Sequence, residues 1–161
     1  MLNHESVFEI KHFAHRFRNA LSYAIEFNSH SLFQLDGWNE LSGFPSGSCT
    51  ISSKLLGQYL QRKGFAPQLI QCGNDLPQYR DVKSHAWLEV DDYYIDITIN
   101  QFNSYVTDRV YVVKKSSPTM LADIRKNSEE VTSVVFFNIE PISASYGELY
   151  RIVETMADAL K

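Results

Sequence analysis

The sequence has 161 residues, of which 44% are hydrophobic and 21% charged; this composition excludes a disordered chain and predicts one globular domain over residues 1–161. The formal net charge of -4 argues against a general nucleic-acid binder and a polybasic membrane anchor. No apolar run approaches the roughly 20 residues of a membrane span. The N-terminus lacks the order of a signal peptide and there are only two cysteines, so we expect a cytoplasmic protein with free thiols.

The first predicted element is an amphipathic helix over residues 6–28, because apolar side chains recur there at helical spacing. Ser6 and Glu9 have the spacing of a capping box at its start. Residues 29–48 follow as a long loop with several aromatic side chains. Such a loop either covers a binding cleft or simply packs on the core, and the sequence does not choose between the two.

Cys49 begins the second predicted helix, which extends to about residue 63, with Ser48 as a plausible N-cap and Gly64 as a stop. Its apolar positions cover nearly half of the helix surface, so the helix must lie deep in the core; they are Ile51, Leu55, Leu56, Tyr59 and Leu60. Unpaired N–H groups at a helix start stabilise a thiolate and can hold an oxyanion formed at that sulfur. The alternative for Cys49 is a small packed cysteine without chemistry.

Weaker signals predict the remaining elements. Residues 65–72 form a strand in which Pro67 marks the start or an edge and Cys72 is a packing residue. The later elements are a short strand over 110–113, a helical turn over 120–126, a strand over 131–139 stopped by Pro141, and an amphipathic helix over 146–160 with a capping box of Ser145 and Glu148.

Residues 83–98 predict a β-hairpin with a two-residue turn at Asp91 and Asp92. Side chains alternate along a strand, so one face is wholly apolar and buried, with Ala86, Leu88, Val90, Tyr93, Ile95 and Ile97. The other face carries His85, Trp87, Tyr94, Asp96 and Thr98. In this register Val90 pairs with Tyr93, Glu89 with Tyr94, Trp87 with Asp96, and His85 with Thr98.

His85 and Asp96 are therefore diagonal neighbours, which brings their side chains within reach of each other. A carboxylate in this place accepts the imidazole N–H, fixes the tautomer and stabilises the imidazolium. Trp87 shares this face and either shields the ring from water or serves only as sheet packing. We expect Tyr94 and Glu89, further toward the turn, to be solvated at the sheet edge.

Two groups of side chains invite a metal interpretation. His12 and His15 could form half of a site, but no third ligand follows at suitable spacing, so we interpret them as surface histidines. Cys49, His85 and Asp96 have ligand chemistry as well, although nucleophilic catalysis accounts for them better. We predict no metal ion and no other cofactor.

Three short motifs in order resemble the transglutaminase-like superfamily, a branch of the papain-like cysteine-enzyme fold. They are Gly47-Ser48-Cys49 opening a buried helix, His85-Ala86-Trp87 on a strand, and Asp96-Ile97-Thr98 on the next strand. The resemblance covers about residues 43–115. It implies an α+β fold with a papain-like/transglutaminase-like core, in which an antiparallel sheet packs on a central helix carrying the cysteine, flanked by N- and C-terminal helices.

The resemblance also implies roles for individual residues. Cys49 corresponds to the nucleophile, His85 to the general base and Asp96 to the orienting acid, and Trp38 or Asn39 could supply a second group at the oxyanion. The implied activity is thiol-dependent acyl chemistry on a peptide or protein amide through a thioester, of protease or amidase, deamidase or transglutaminase type. Arylamine acetyltransferases are similar in order and spacing, so an acyltransferase of that type is an alternative. A catalytically inactive protein-interaction module on the same scaffold is another.

Overall fold

The computed structural model of the chain describes residues 1–135 and 146–160 and shows a mixed α+β architecture. Within these residues the strands are β1 (Gln68–Gly73), β2 (Ser84–Val90), β3 (Tyr93–Asp96), β4 (Tyr111–Lys114) and β5 (Val131–Val135). The helices are α1 (His4–Phe27), α2 (Ser29–Leu32), α3 (Trp38–Leu41), α4 (Cys49–Arg62), α5 (Met120–Asn127) and α6 (Gly147–Ala159), with 3₁₀ turns at Pro77–Tyr79 and Ile99–Phe102. The strands form one antiparallel sheet in the order β4-β3-β2-β1-β5.

Helices α1, α4 and α6 form the main core with one face of this sheet. Helix α4 lies against β1 and β2, and α1 packs on α4 and α6. The Phe17 ring of α1 lies 4.9 Å from the Tyr59 ring of α4 and 6.5 Å from the Tyr150 ring of α6. The prediction that α4 is pressed deep into the core is confirmed, because all five residues of its apolar arc are buried.

The opposite face of the sheet is buried as well, under α5 and the segments that surround it. Ile70, Trp87 and Tyr94 pack there with Leu121 and Ile124 of α5. The expectation of a solvated Tyr94 is therefore wrong: the residue is 5% exposed and its ring meets that of Trp87 edge to face at 5.7 Å. The apolar pattern of the hairpin predicted only one buried face. The second face is buried because α5, which is distant in sequence, packs over it.

Glu89 is not simply solvated either. Its carboxylate forms an ion pair with Lys115 at 3.1 Å, and its side chain is only 13% exposed. The segment after β4, which carries Lys115, thus covers the edge at which Glu89 was expected to meet water.

The start of α1 differs from the predicted capping box. The helix begins at His4, and the Asn3 side chain accepts a hydrogen bond from the Ser6 N–H at 2.8 Å. The Ser6–Glu9 capping box is wrong because Asn3 provides a cap three residues earlier. Ser145, of the other predicted capping box, lies outside the described residues; α6 follows Tyr146, whose side chain makes no capping hydrogen bond.

Two further predictions concern residues 29–48 and Pro67. The segment over residues 29–48 is not a continuous loop, because α2 and α3 each add one helical turn to it. Of the two alternatives for Pro67, the start of a strand is confirmed, because β1 begins directly after it; β1 lies between β2 and β5 and is not an edge strand. Proline fits there because it precedes the first residue of the hydrogen-bonded ladder.

Other boundaries move by a few residues. The strand predicted over 110–113 is β4, and the turn predicted over 120–126 is α5. The strand predicted over 131–139 is present as β5; residues 136–139 and Pro141 lie outside the described residues. In the described part of the chain, no helix has both the length and the apolar composition needed to cross a bilayer.

Candidate active site

The β2–β3 hairpin has the predicted register. Val90 pairs with Tyr93 and Glu89 with Tyr94 across the two-residue turn. Asp91 in that turn has a φ of 51°, in the left-handed region that aspartate tolerates better than most residues. The ladder ends at the following pair, so the expected Trp87–Asp96 and His85–Thr98 pairs lie just beyond it.

His85 and Asp96 meet at this end of the hairpin. The His85 Nε2 donates a hydrogen bond to Asp96 Oδ2 at 2.6 Å, and both side chains are 0% exposed. The other carboxylate oxygen, Oδ1, accepts from the Thr98 N–H at 2.8 Å and from its hydroxyl at 3.2 Å. With both oxygens occupied, the carboxylate is held in one orientation, and the buried setting strengthens its bond to the ring.

Cys49 is half-buried at the first position of α4. Ser48 occupies the N-cap position as predicted, but its hydroxyl makes no capping hydrogen bond to the helix. It donates instead to the Pro45 carbonyl at 3.0 Å and accepts from the Ser52 hydroxyl at 3.1 Å. The first turn of α4 therefore keeps N–H groups without a side-chain cap, and these favour negative charge next to Cys49.

The Cys49 thiol interacts with His85 and with the backbone of Ala86. Burial raises the pKa of Cys49, but the nearby His85 ring, its imidazolium charge and the Ala86 N–H outweigh burial and lower the pKa below its usual value. Burial lowers the pKa of His85, whereas the charge and hydrogen bond of Asp96, with a smaller effect from Cys49, raise it to about 9. Both shifts favour a thiolate–imidazolium pair at neutral pH.

Asp96 occupies one of the two nitrogens of the His85 ring. Since Nε2 is bonded to Asp96, Nδ1 is the nitrogen left for the thiol. Nδ1 is buried and forms no hydrogen bond of ordinary length with any described residue. Catalytic hydrogen bonds are often long before substrate binds and tighten afterwards.

A metal site requires several ligand side chains around one point. Among residues 1–135 and 146–160, no three His, Cys, Asp or Glu side chains form a group that could hold a metal ion. His12 and His15 are exposed on α1, as expected of surface histidines.

Two aromatic rings enclose His85. Trp87 is fully buried with its ring 5.8 Å from the imidazole, at the place predicted for it. Phe102 meets the imidazole edge-on at 5.0 Å, from the 3₁₀ turn that follows β3. The sequence had suggested only a connection there, and no periodic signal marks Phe102. The rings keep water from the His85–Asp96 bond.

Arg18 is a buried cation next to this site that the sequence analysis missed. It is 4% exposed; its Nε donates to the Ile97 carbonyl at 3.0 Å and its guanidinium to Asn100 Oδ1 at 3.1 Å. The same guanidinium lies over the Phe44 ring, 5.0 Å from the ring centroid. Arg18 thus joins the segment before Cys49 to the segment after Asp96.

The position of Arg18 on α1 held a usable signal. It lies four residues after Ala14 and three before Leu21, both on the apolar face, so its side chain was bound to point inward. A lone arginine on such a face needs polar partners in the core. Burial, and then repulsion by Arg109, lower the pKa of Arg18 to about 10, so it is still charged at neutral pH.

The two residues predicted as a second group at the oxyanion lie on α3, a helix that contacts α4. Trp38 packs half-buried against the helical core, and Asn39 is exposed on α3. Gln101 contacts the loop that precedes Cys49: its Oε1 accepts from the Gly47 N–H at 3.4 Å and its Nε2 donates to the Thr98 carbonyl at 3.1 Å. Gln101 thereby forms a second link between the two segments.

Cys72 fits the prediction of a packing residue. It is 1% exposed and lies opposite His85 in the β1–β2 ladder. Burial raises the pKa of its thiol, which keeps it protonated and unreactive at neutral pH. The two cysteines therefore differ in both exposure and ionisation.

Comparisons with protein-family models, curated proteins and solved structures give no match for this chain. The chemistry of the site is therefore inferred from its own geometry. A half-exposed sulfur beside an imidazole that is backed by a carboxylate can attack a carbonyl carbon and can exchange protons with the departing group.

Proposed function

We propose that this chain is a cysteine enzyme that carries out acyl chemistry on an amide through a thioester on Cys49. The observation that carries the proposal is the buried 2.6 Å bond between His85 and Asp96, next to the Cys49 thiol, which interacts with the same ring. We also propose that residues 1–161 form one domain with the transglutaminase-like core that the sequence motifs resemble. The proposed substrate is a peptide, a protein or a smaller molecule that contains an amide.

The first half of the proposed reaction forms the thioester. The Cys49 thiolate attacks the carbonyl carbon, and the carbonyl electrons move to oxygen, where the uncapped N–H groups of α4 stabilise the oxyanion. The oxyanion then collapses and the C–N bond breaks. His85 gives its Nδ1 proton to the departing amine, and Asp96 retains its bond to Nε2.

The second half releases the acyl group. Neutral His85 takes a proton from water or from an acceptor amine while that molecule attacks the thioester carbonyl. Collapse of the second oxyanion breaks the C–S bond and restores the thiolate–imidazolium pair. Water gives hydrolysis or deamidation, and an amine gives transfer, so access to the thioester decides between them. Proton transfer and oxyanion stabilisation each contribute roughly 10² to 10³-fold or more.

The energetics favour an enzyme over an inert interaction module. Burying a charged pair is costly, and apolar residues of similar volume often give equal or greater stability. His85 and Asp96 are buried all the same, next to a half-exposed thiol with a lowered pKa. Perturbed groups of this kind concentrate where chemistry occurs.

Alkylation by iodoacetamide at pH 6, followed for each cysteine by mass spectrometry, tests the proposal. Faster labelling of Cys49 than of Cys72 is not sufficient, because Cys72 is 1% exposed. The matched comparison is His85→Ala, in which we expect Cys49 to react at least about tenfold more slowly because its thiolate loses the imidazolium. Equal rates in the two proteins would argue for the interaction module.

A second measurement tests the thioester directly. On mixing with p-nitrophenyl acetate, the protein should release p-nitrophenol in a burst and carry one acetyl group on Cys49. The Cys49→Ala variant should show neither. Acetylation spread over lysines, without a burst, would contradict the proposed chemistry.

A further inference from the structure

A small pocket of about 260 Å³, with a mixed polar and apolar lining, lies beside the start of α4. Gly47 and Thr50, which flank Cys49 in the chain, form part of its lining. The other lining residues are Glu40, Ile51, Lys54 and Tyr146. A group bound in this pocket would be adjacent to the segment that carries the reactive sulfur.

The pocket has one charged group of each sign. Glu40 comes from α3 and Lys54 from the second turn of α4. Neither forms an ion pair with the other or with any further residue in the described ranges, 1–135 and 146–160. Opposite charges that line one small pocket without neutralising each other are suited to a ligand that carries both charges.

The wall around Glu40 is held in place. The Tyr146 hydroxyl donates to the two carboxylate oxygens of Glu40 at 3.4 and 3.5 Å. The Tyr146 ring and the Ile51 side chain pack closely on Gly37: a Cβ there would lie 3.0 Å from Tyr146 and 2.7 Å from Ile51. Gly37 also has a φ of 92°, a conformation that favours glycine. Tyr146 thereby connects the Glu40 carboxylate to the close packing around Gly37.

We propose that this pocket binds a free α-amino-acid group at the end of the acyl substrate, with its ammonium at Glu40 and its carboxylate at Lys54. The inference rests on the thiol chemistry proposed above, because it assigns the part of the substrate that lies beyond the amide attacked by Cys49. A zwitterion compensates both charges at once. A glutamine side chain within a polypeptide has neither charge and compensates neither the charge of Glu40 nor that of Lys54.

Four p-nitroanilides separate the contributions of the two charges. The γ-glutamyl compound has both, the glutaryl compound lacks the ammonium, the 4-aminobutyryl compound lacks the carboxylate, and the butyryl compound lacks both. We expect kcat/KM to fall about tenfold for each charge removed, since one charge-assisted hydrogen bond is lost each time. Both enantiomers of the γ-glutamyl compound are used.

Charge-neutral variants assign each preference to a residue. Glu40→Gln should abolish the preference for γ-glutamyl over glutaryl and keep the preference over 4-aminobutyryl. Lys54→Gln should do the reverse. Glu26→Gln and Lys11→Gln, both exposed on α1, are matched controls and should change neither preference. If Glu40→Gln and Lys54→Gln weaken all four compounds equally, the assignment is overturned.

Binding without chemistry distinguishes failure of this inference from failure of the proposed function. Calorimetry on Cys49→Ala should show the γ-glutamyl compound binding at least about tenfold more tightly than the butyryl compound, with the difference lost when Glu40→Gln and Lys54→Gln are added. If wild-type Cys49 alkylates rapidly and shows the acetyl burst but this preference is absent, only the pocket inference is overturned. If the preference is present without rapid alkylation or a burst, the pocket stands and the thiol chemistry fails.

Discussion

The His85 Nε2 and the Asp96 Oδ2 lie 2.6 Å apart, with no solvent exposure of either side chain. A buried imidazolium is stable only beside its counter-charge, so this bond controls the ionisation of His85 and, through it, of Cys49. Each end of the contact can be tested separately.

Asp96→Asn keeps the size of the side chain and removes its charge. We expect the pKa of His85 to fall from its raised value, because the charge of Asp96 is the largest effect that raises it. Alkylation of Cys49 at pH 6 should then slow by at least about tenfold, since less thiolate is present. A stopped-flow pH profile between pH 5 and 10 measures this; an unchanged profile would mean that Asp96 has no effect on the thiol.

The raised pKa of His85 also predicts how stability depends on pH. Its folded value of about 9 exceeds the ordinary 6.5, so between these pH values the folded protein binds more protons than the unfolded chain. The free energy of unfolding should therefore decrease as pH rises from 6.5 to 9. The lowered pKa of Cys49 has the opposite effect on stability. It stabilises the folded protein fully above pH 9.0, the ordinary pKa, and this stabilisation is lost as pH falls. The test is therefore made in the Cys49→Ser variant.

In that background, urea unfolding at pH 6.5 and pH 9 is compared with and without His85→Gln. From pH 6.5 to pH 9, the free energy of unfolding of Cys49→Ser should fall by about 1–3 kcal/mol more than that of the double variant. A difference that stays constant or increases with pH would show that His85 is not held in its charged form.

Arg18 provides a test of positioning. Arg18→Met leaves the Ile97 carbonyl without its donor in the core, so we expect a loss of about 1–3 kcal/mol in unfolding free energy. Alkylation of Cys49 should slow as well, because Arg18 links the segments on either side of the site. Arg18→Lys should recover only part of both properties, since an ammonium cannot reproduce the planar fork.

Arg109→Met is the matched control for Arg18. Arg109 is exposed and hydrogen-bonds Asn19 at 3.2 Å, so its replacement should change stability by less than about 0.5 kcal/mol. Equal effects of the Arg18 and Arg109 substitutions would contradict the linking role of Arg18.

Gly37 and Gly64 form a second matched pair. Both have a left-handed backbone, with φ of 92° and 96°, but a Cβ at Gly64 would meet nothing within 4 Å, whereas one at Gly37 would lie 2.7 Å from Ile51. Gly64→Ala should cost about 1 kcal/mol of unfolding free energy for backbone strain alone. Gly37→Ala should cost about 1–3 kcal/mol more because it also disturbs packing. Equal losses would show that the close packing around Gly37 is not important.

The parts of the site that depend on local pattern could be predicted from the sequence. Alternation along the strands and a two-residue turn fix which hairpin residues share a face, and this placed His85 diagonal to Asp96. Helical spacing likewise placed Cys49 at the start of a buried helix. None of these inferences required knowledge of distant contacts.

The parts that depend on distant contacts could not be predicted in this way. The Arg18 guanidinium meets a carbonyl 79 residues away, and no local pattern encodes that partner. Tyr94 is buried because α5 folds over the second face of the sheet. The start of α1 was missed because Asn3 and Ser6 are both residues that can cap a helix, and Asn3 provides the cap.

The strand order has a consequence for the durability of the site. Strand β2, which carries His85, is third of five, with β3 and β4 on one side and β1 and β5 on the other. Its amide hydrogens can exchange with solvent only when the inner strands separate, which exposes the core on both faces. Deuterium uptake in β2 should therefore be as slow as global unfolding permits, and heat should disrupt the His85–Asp96 contact only when the whole fold is lost.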